Sequence, residues 1–292
     1  MVLDMGGTRR RVVVDFRDLV EFDDIAYEWA DVYGKVNLAA ADAARPKVLP
    51  LGPGFGVGPR LAERADARAF ALGAMAHRAD RRAGYRVESP PAAALIRDYG
   101  RWQTLPSLDS YRAAPAGTEQ LFYAAKLWSH ASTTSETDPE RAAFMRAAKV
   151  IYGNGFSGGF VGGSAADRAR YADLLLNRPV RRHAWIERTI ASTVAFNNAA
   201  VWGCLGWKLG QYLALGKAII STPLHNVLPE PLIHGRHLHV VGDPDEFPAA
   251  IEHLRTDGNY RRELERGALS YWHRWLAPKV VAARILTAAE ST

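Results

Sequence analysis

Cysteine is nearly missing from this sequence, since Cys204 is the only one among its 292 residues. A single thiol forms no intrachain disulfide, which excludes the disulfide-dense scaffolds of small secreted proteins. No apolar run approaches the ~20 residues that a transmembrane helix needs, and the first residues lack the apolar core of a signal peptide. We therefore expect a cytoplasmic protein, with peripheral contact to the inner face of a membrane as an open alternative.

Positive charge exceeds negative charge in the chain. Its 37 lysines and arginines and 31 aspartates and glutamates give a net charge of +6 and a sequence pI of about 9.5. This excess favours an anionic partner such as a nucleotide diphosphate, a phospholipid surface or a nucleic acid. No basic motif is interleaved with aromatic residues, so no nucleic acid partner is expected. The apolar content of 48% and the length predict a globular protein of two domains.

The most informative stretch is 203–223, which reads GCLGWKLGQYLALGKAIISTP. Two glycines precede residues 208–215, whose apolar side chains recur at helical spacing. Gly216 follows as a helix-ending residue, and the apolar residues 218–220 predict a buried parallel strand. The free N–H groups of a helix that begins after a glycine-containing loop attract phosphate, and Lys208 adds a positive charge there. The stretch therefore predicts an anion site.

Together with residues 193–198 and 223–235, this stretch resembles the donor-binding half of group-1 glycosyltransferases of the GT-B fold, particularly bacterial enzymes that build surface polysaccharides. The resemblance implies an α/β fold of two Rossmann-like domains, with parallel, doubly wound sheets and an interdomain cleft. The implied parts of the chain are an acceptor-side domain at 1–115, a nucleotide-sugar-binding domain at 116–275 and a helix at 276–292 that returns to the first domain.

The resemblance also implies an activity. A sugar would move from a nucleotide-diphosphate donor to a glycan, a lipid-linked acceptor or a small molecule, without a metal ion or cofactor. Family members carry a glutamate near the start of the helix, and many carry a second one eight positions earlier, but this chain has Gln211 and Gly203 at those positions. Because an amide cannot act as a carboxylate, a non-catalytic protein that binds a sugar nucleotide or another partner is the alternative.

Several side chains are implied to bind the donor. They comprise lysines for the diphosphate, amides for the ribose or the sugar, an aromatic ring for the base and a glutamate for a sugar hydroxyl. Tyr212 is an alternative ring for the base. The donor-site candidates are Lys126, Asn197, Asn198, Gly206, Trp207, Lys208, Gln211 and Glu230.

Inverting transfer needs a general base for the acceptor hydroxyl, and the resemblance places this base in the first domain. Asp15, Asp18 and Glu21 follow the β-branched run at 12–14. Functional carboxylates often lie at the carboxyl end of a strand. For any single one of them, helix capping or exposure in a solvated loop is the simpler explanation. The sequence does not choose among the three.

Other patterns predict local structure. Helices are expected at 61–82 and 90–99, and the segments 137–140 and 243–246 predict helix-initiating capping boxes. Residues 153–158 match the G-x-G-x-x-G dinucleotide fingerprint. That match follows a predicted helix where the fingerprint requires a strand, so we interpret its glycines as a helix end and a turn.

Four histidines lie close together in the sequence near the predicted strand 237–241. They are His225, His234, His237 and His239. Imidazole is a common metal ligand, but no carboxylate or cysteine completes a usual ligand spacing here. We therefore expect no metal site.

Overall fold

Strands and helices alternate along the chain in the computed structural model, which describes residues 1–58 and 100–292. The helices expected at 61–82 and 90–99 lie outside the described residues. All but one of the strand pairs described here are parallel, which confirms the expected α/β fold class with parallel sheets. Among the described helices, none combines the length and the apolar character needed to span a membrane.

The first sheet is mixed. Its elements are β1 (Val2–Met5), β2 (Thr8–Asp15), helix α1 (Asp24–Trp29), β3 (Val32–Lys35) and β4 (Val48–Pro50). The strand order is β1-β2-β3-β4, with β1 antiparallel to β2 and the other pairs parallel. Helix α1 lies in the crossover from β2 to β3, and the Asp23 carboxylate caps it by accepting a hydrogen bond from the Ala26 N–H.

The rest of the described chain adds a second set of parallel strands. These are β5 (Leu121–Leu127), β6 (Phe156–Gly162), β7 (Ala195–Asn197), β8 (Ile219–Ser221) and β9 (His239–Val240). Its helices are α2 (Asp138–Tyr152), α3 (Ala165–Arg170), α4 (Arg182–Ala191), α5 (Trp207–Ala214), α6 (Phe247–Thr256) and α7 (Gly258–Tyr271), and α8 (Pro278–Glu290) ends the chain.

These strands form two hydrogen-bonded groups that lie side by side. One group is β5-β6 and the other is β7-β8-β9. The Thr193 N–H donates to the Gln120 carbonyl at 2.7 Å, and the Phe122 N–H donates to the Ser192 hydroxyl at 2.9 Å. These two bonds hold the start of β7 beside the start of β5.

Aromatic rings form the centre of the core in this second unit. Phe144 of α2 stacks on Phe196 of β7 with ring centroids 4.2 Å apart, and Phe247 of α6 meets both rings edge-on. Each such pair adds ~0.5–1.5 kcal/mol beyond the burial of its area. Successive strand residues point to opposite faces, so Ile220 joins this core while Ile219 packs with α5 in a second core. Helices therefore cover both faces of the strands, as in a doubly wound sheet.

Most local predictions agree with the structure, but one is wrong. Helix α5 and strand β8 lie where the sequence placed them, and Gly216 follows α5 with a φ of +60°. The predicted capping box at 137–140 does not form, because Thr137 itself has helical backbone angles and its hydroxyl donates to the Ala199 carbonyl at 3.2 Å. A π-helical turn at Thr133–Thr137 continues directly into α2.

Two further local predictions are confirmed. Asp243 and Glu246 form the reciprocal hydrogen bonds of a capping box before α6. Gly153 ends α2 with a φ of +51°, and the turn Gly153–Gly155 leads into β6. Gly153 and Gly155 therefore end a helix and form a turn, as expected.

The last helix packs on the first sheet. Ala289 of α8 is buried against Val12 and Val32. The Arg10 guanidinium donates to the Ala289 carbonyl at 3.0 Å, and Arg284 donates to the Pro50 carbonyl at 2.7 Å. The chain thus returns across its own first strands. The domain limits drawn at 115 and 275 stay predictions.

The loop after β4 lies directly against α5. A Cβ atom added at Gly210 would be only 2.8 Å from the Pro53 carbonyl oxygen and 3.1 Å from the Phe55 ring. The Leu205 N–H also donates to the buried Asn37 side chain at 2.7 Å. Glycine at position 210 is therefore what allows this close approach of the two halves.

We predict that Gly210→Ala destabilises the protein, although alanine favours a helix by about 1 kcal/mol over glycine. The added methyl group clashes with backbone, so α5 and the loop at 52–57 must separate. Urea unfolding measures the change, and Gly242→Ala is the control because nothing lies within 4 Å of its added Cβ. A stabilised Gly210→Ala protein would show that the packing is loose.

Candidate functional site

A cavity of about 270 Å³ opens at the carboxyl ends of β5 and β7 and at the start of α5. Ligands of open α/β sheets bind at this edge. We call this cavity the cationic cavity. Its lining residues are Tyr123, Ala125, Lys126, Trp128, Arg141, Phe196, Asn197, Asn198, Ala200, Gly206, Trp207 and Lys208. Six of the eight donor-site candidates are among them, and no carboxylate is.

Three cationic side chains converge on this cavity. Lys126 is exposed, with Nζ 4.2 Å from the centre of the Trp128 ring. Arg141 is buried and pairs with Asp138 at 3.1 Å. The sequence had not singled out Arg141, since only the packing of α2 against β7 turns this side chain toward the cavity.

Lys208 is the most constrained of the three cations. Its Nζ donates to the Ala124 carbonyl at 2.6 Å and lies 4.3 Å from the centre of the Tyr123 ring. Burial, and then the positive charge of Arg141, hold the pKa of Lys208 well below its usual range. An anion in the cavity would raise the pKa of Lys208 again, because a nearby negative charge favours the charged amine.

The start of α5 adds a further positive element. Gly206 is the N-cap residue, and no side chain caps the helix there. The first N–H groups of a helix carry partial positive charge and bind anions. The helix start, Lys126 and Lys208 all face the same space, so an anionic group is the ligand that this arrangement suits best.

The two asparagines of the cavity are held by the protein itself. Asn197 donates to the Ser221 hydroxyl at 3.0 Å. Asn198 donates to the Thr137 carbonyl and to Glu140, and its own oxygen accepts from Arg141 at 3.0 Å. Asn198 therefore orients Arg141. Direct contact of either asparagine with a ribose or sugar stays a prediction.

Three residues named from the sequence lie elsewhere. Gln211 donates to the Tyr111 hydroxyl at 3.1 Å and does not line the cavity. Tyr212 is buried in the core below α5, so it is not placed to flank a base. Glu230 is exposed on the loop after β8, where its carbonyl oxygen accepts a hydrogen bond from Tyr271. A ligand would have to extend beyond the cavity to reach Glu230.

Asp15 is held in a buried ion pair. Its carboxylate pairs with the fully buried Lys35 at 2.9 Å and accepts a hydrogen bond from the Tyr33 hydroxyl at 2.7 Å. Burial alone would raise the pKa of Asp15, but hydrogen bonds from Arg17 and Lys35 outweigh burial and hold the pKa far below its usual range. A carboxylate that binds protons so weakly is a poor general base.

The other two candidate bases are exposed. Asp18 lies close enough to Cys204 for its negative charge to act on the thiol, and Cys204 is two residues before Gly206. Burial raises the pKa of Cys204 to about 12, and the negative charge of Asp18 contributes to the same shift. Glu21 contacts its neighbours through its backbone oxygen, which accepts hydrogen bonds from Lys35 and Arg17. Of the three carboxylates, Asp18 is the one whose charge acts on the loop that leads into α5.

Two exposed tryptophans line the cavity, and a third belongs to the segment that leads to α5. Trp128 is 53% exposed and Trp207 is 56% exposed, and both line it. Trp202, 48% exposed, packs edge-on against His130 with ring centroids 4.7 Å apart. Its backbone is left-handed, with a φ of +54°, which costs a bulky residue ~1–3 kcal/mol. Strained, exposed aromatic residues of this kind are typical of ligand sites, and no sequence pattern marked Trp202 or Trp128.

The histidines near β9 are held by internal hydrogen bonds. Nδ1 of His234 accepts from the Val240 N–H, and Nδ1 of His237 accepts from the Ile233 N–H, both at 3.0 Å. His239 lies 2.9 Å from the Tyr260 hydroxyl. Across residues 1–58 and 100–292, no group of three or more His, Cys, Asp or Glu side chains is placed to hold a metal ion.

No protein-family model matches the sequence, and neither does any curated protein. Solved structures do align with it. The C-terminal domain of a group 1 family glycosyl transferase (LpcC) from Francisella tularensis has 9% identity and a TM-score of 0.39, over 57% of this chain and 95% of that one. Sucrose-phosphate synthase from Thermosynechococcus elongatus has 12% identity and a TM-score of 0.48, over 91% of this chain and 59% of that one.

A third aligned structure is HepE from Anabaena in complex with UDP and glucose. It has 12% identity and a TM-score of 0.45, over 97% of this chain and 100% of that one. The solved structures thus include the kind of protein that the 203–223 motif resembles. Alignments with identities of 9–12% and TM-scores below 0.5 do not assign this chain to a family.

We predict that Asp15→Asn destabilises the fold by ~3–5 kcal/mol at pH 7, because it leaves the buried Lys35 charge without its partner. The folded-state pKa of Asp15 is depressed, so the stability from its ionised form is present above pH ~4 and is lost as the pH falls further. Urea unfolding should show that the difference in unfolding free energy between Asp15→Asn and wild type is smaller at pH 3 than at pH 7. Asp31→Asn, in the exposed Arg11 pair, is the control and should cost ~1 kcal/mol or less.

At position 202 we predict that the usual order of stability, in which an alanine variant is more stable than a glycine variant, is inverted. Trp202→Gly should be more stable than Trp202→Ala by ~1 kcal/mol, because only glycine adopts the left-handed backbone without strain. The same pair of substitutions at Trp128, whose φ is not positive, should show no advantage for glycine. Thermal unfolding of the four variants makes the comparison, and equal stability of the two Trp202 variants would contradict a strained backbone.

Proposed function

We propose that the chain binds a nucleotide-diphosphate sugar in the cationic cavity and transfers the sugar to an acceptor on the side of the first sheet. The observation that carries this proposal is the convergence of Lys126, Arg141 and Lys208 beside the uncapped start of α5. A diphosphate offers several anionic oxygens that such a group can contact together.

The proposed reaction makes one bond and breaks one. An oxygen of the acceptor bonds to the anomeric carbon of the sugar, and the bond from that carbon to the diphosphate oxygen breaks. The nucleoside diphosphate leaves with the electron pair, and the acceptor proton passes to a carboxylate. Lys126, Arg141 and Lys208 stabilise the negative charge that develops on the leaving oxygen. With these cations in place, the proposed transfer needs no metal ion.

The size of the cavity limits how much of the donor it holds. Ligand pockets typically measure ~300–1,000 Å³, and this cavity measures about 270 Å³. It suits the diphosphate and one adjoining ring. The rest of the donor would lie along Trp128, Trp202 and Trp207, whose exposed faces can stack on a base or a sugar ring.

The proposed proton acceptor is Asp18. Among the described residues no carboxylate lines the cationic cavity, and we place the base in the first sheet and its loops. Asp15 is committed to Lys35, whereas Asp18 is exposed beside the loop that leads into α5. The proposed acceptor is a glycan, a small molecule or a lipid-linked compound.

We predict that Lys208→Met and Lys126→Ala each weaken binding of a nucleoside diphosphate ~10–100-fold, the loss expected for one hydrogen bond to a charged group. Quenching of tryptophan fluorescence by UDP, GDP and ADP is the measurement, since Trp128 and Trp207 line the cavity. Wild-type affinity should also fall as the pH rises, because binding favours the charged Lys208, and Lys208→Met should remove that pH dependence.

The control is Lys149→Ala, because Lys149 lies at the far end of α2 and bonds the Asp173 carbonyl. If no nucleoside diphosphate binds, the proposal fails. If one binds and a radiolabelled sugar is neither transferred to any acceptor nor hydrolysed, the chain is a binding protein without transferase activity.

A further inference from the structure

A buried amide joins the two halves of the chain beside the candidate site. Asn37, two residues after β3, is 1% exposed. Its Nδ2 donates to the Arg17 carbonyl at 2.9 Å, and its Oδ1 accepts from the Leu205 N–H at 2.7 Å. Arg17 belongs to the loop after β2, and Leu205 belongs to the loop before α5. One side chain therefore links the first sheet to the start of α5.

The chemistry of the two partners explains why an amide lies at this position. One partner is an acceptor and the other is a donor, and an amide side chain offers both a donor and an acceptor. A carboxylate would lack the donor, and an ammonium group would lack the acceptor. Since a buried carbonyl or N–H group that is left without a partner is costly, both hydrogen bonds should persist in the folded protein.

Each partner is one residue away from a part of the proposed site. Arg17 precedes Asp18, the proposed proton acceptor, and Leu205 precedes Gly206, the N-cap residue of α5 that lines the cationic cavity. The two hydrogen bonds of Asn37 thus fix the backbone beside Asp18 relative to the backbone beside the helix start. A general base works only within hydrogen-bond reach of the hydroxyl it deprotonates, and a misplacement of about 1 Å can slow a reaction ~100-fold.

Asp18 depends on this link because its own side chain is exposed and has little packing to hold it. The backbone of the neighbouring Arg17 is held on both sides. Its N–H donates to the Asp15 carboxylate at 3.0 Å, and its carbonyl accepts from Asn37. Asp15 anchors this backbone to the first sheet, whereas Asn37 anchors it to the loop before α5.

We propose that Asn37 is a positioning residue, which holds Asp18 opposite the start of α5 during the transfer. This inference rests on the proposed function. Asn37 is buried and does not line the cationic cavity, so it acts on the reaction through Asp18 and Gly206. Asn37 should therefore affect the chemical step more than it affects binding of the nucleoside diphosphate.

The chain offers a matched control in Asn226. Its Nδ2 donates to the Gly203 carbonyl at 2.9 Å. Asn226→Ala therefore removes a hydrogen bond from the loop before α5, as Asn37→Ala does, but it leaves the bond to the Arg17 carbonyl intact. Asn37→Ser is a second variant, because a hydroxyl can satisfy one of the two buried partners if the alanine variant does not fold. Circular dichroism checks that each variant is folded.

The thiol of Cys204 reports whether Asp18 is in place, without any substrate. Cys204 is the only cysteine of the chain, and the negative charge of Asp18 acts on its thiol. The experiment measures the rates at which anionic iodoacetate and neutral iodoacetamide alkylate this thiol. The ratio of the two rates depends on the charge around the thiol, because opening of the loop and the pKa of the thiol change both rates alike. The positive charge of Arg141 also acts on the thiol, and it is present in every variant.

Asp18→Asn should raise the ratio of the iodoacetate rate to the iodoacetamide rate about 5-fold, the effect of one unit charge close to a hydrated group. Asn37→Ala and Asn37→Ser should raise the ratio by a similar factor, because Asp18 then moves away from the thiol. Adding Asp18→Asn to Asn37→Ala should raise the ratio no further. Asn226→Ala should keep the wild-type ratio.

Turnover tests the consequence for the reaction. The donors are UDP-glucose, GDP-glucose and ADP-glucose, and the released nucleoside diphosphate is measured. With the donor that the wild-type protein uses, kcat of Asn37→Ala should fall about 10-fold or more. Its affinity for the nucleoside diphosphate should stay close to that of wild type, because the cations that line the cavity are unchanged.

The inference is wrong if Asn37→Ala keeps the wild-type ratio of alkylation rates, or if Asn226→Ala changes this ratio as much as Asn37→Ala does. It is also wrong if Asp18→Asn leaves the ratio unchanged, because the carboxylate is then not held beside the thiol. All three outcomes leave binding of the nucleoside diphosphate, and with it the proposed function, standing. If wild type binds no nucleoside diphosphate, the proposed function fails, and the role of Asn37 in the transfer fails with it.

Discussion

The buried ion pair between Asp15 and Lys35 organises the region where the two halves of the chain meet. Lys35 also donates to the Leu19 and Glu21 carbonyls, and so it fixes the loop that follows β2. Asn37, two residues further on, connects that loop to the Leu205 N–H. A fully buried charge tolerates few alternative arrangements, because moving its partner leaves the charge unpaired. The position of Asp18 beside Cys204 depends on this constraint.

The cationic cavity brings like charges together, which is unfavourable unless a ligand is bound. Burial, and then the positive charge of Arg141, make it costly to keep Lys208 charged. The strained backbone of Trp202 lies in the segment between Ala200 and Gly206, both of which line the cavity. Stability is thus given up in one small region while the surrounding cores are well packed. This contrast is the physical basis for choosing the edge of β5 and β7 as the candidate functional site.

Much of the fold could be predicted from local patterns. The strand-and-helix order from β5 to β9, helix α5, the glycine that ends it and the capping box at 243–246 follow from spacing that involves near neighbours only. The capping box at 137–140 failed for a non-local reason, since the Thr137 hydroxyl bonds Ala199 more than sixty residues away. The sequence offered Gln211 as a ligand contact and Tyr212 as an alternative ring for the base, but the orientation of α5 directs them to Tyr111 and to the core.

By itself, the sequence determined the α/β class, the helix and strand within 203–223 and the two lysines that line the cavity at the start of that helix, because glycine placement, apolar periodicity and charge act over a few residues. Only the tertiary structure decided that Arg141 and Trp128 join those lysines, that Asp15 is bound to Lys35 while Asp18 is exposed, and that Asn37 joins the loop after β2 to the loop before α5. Each of these depends on residues that are far apart in the chain, and their meeting is set by how helices and sheets pack.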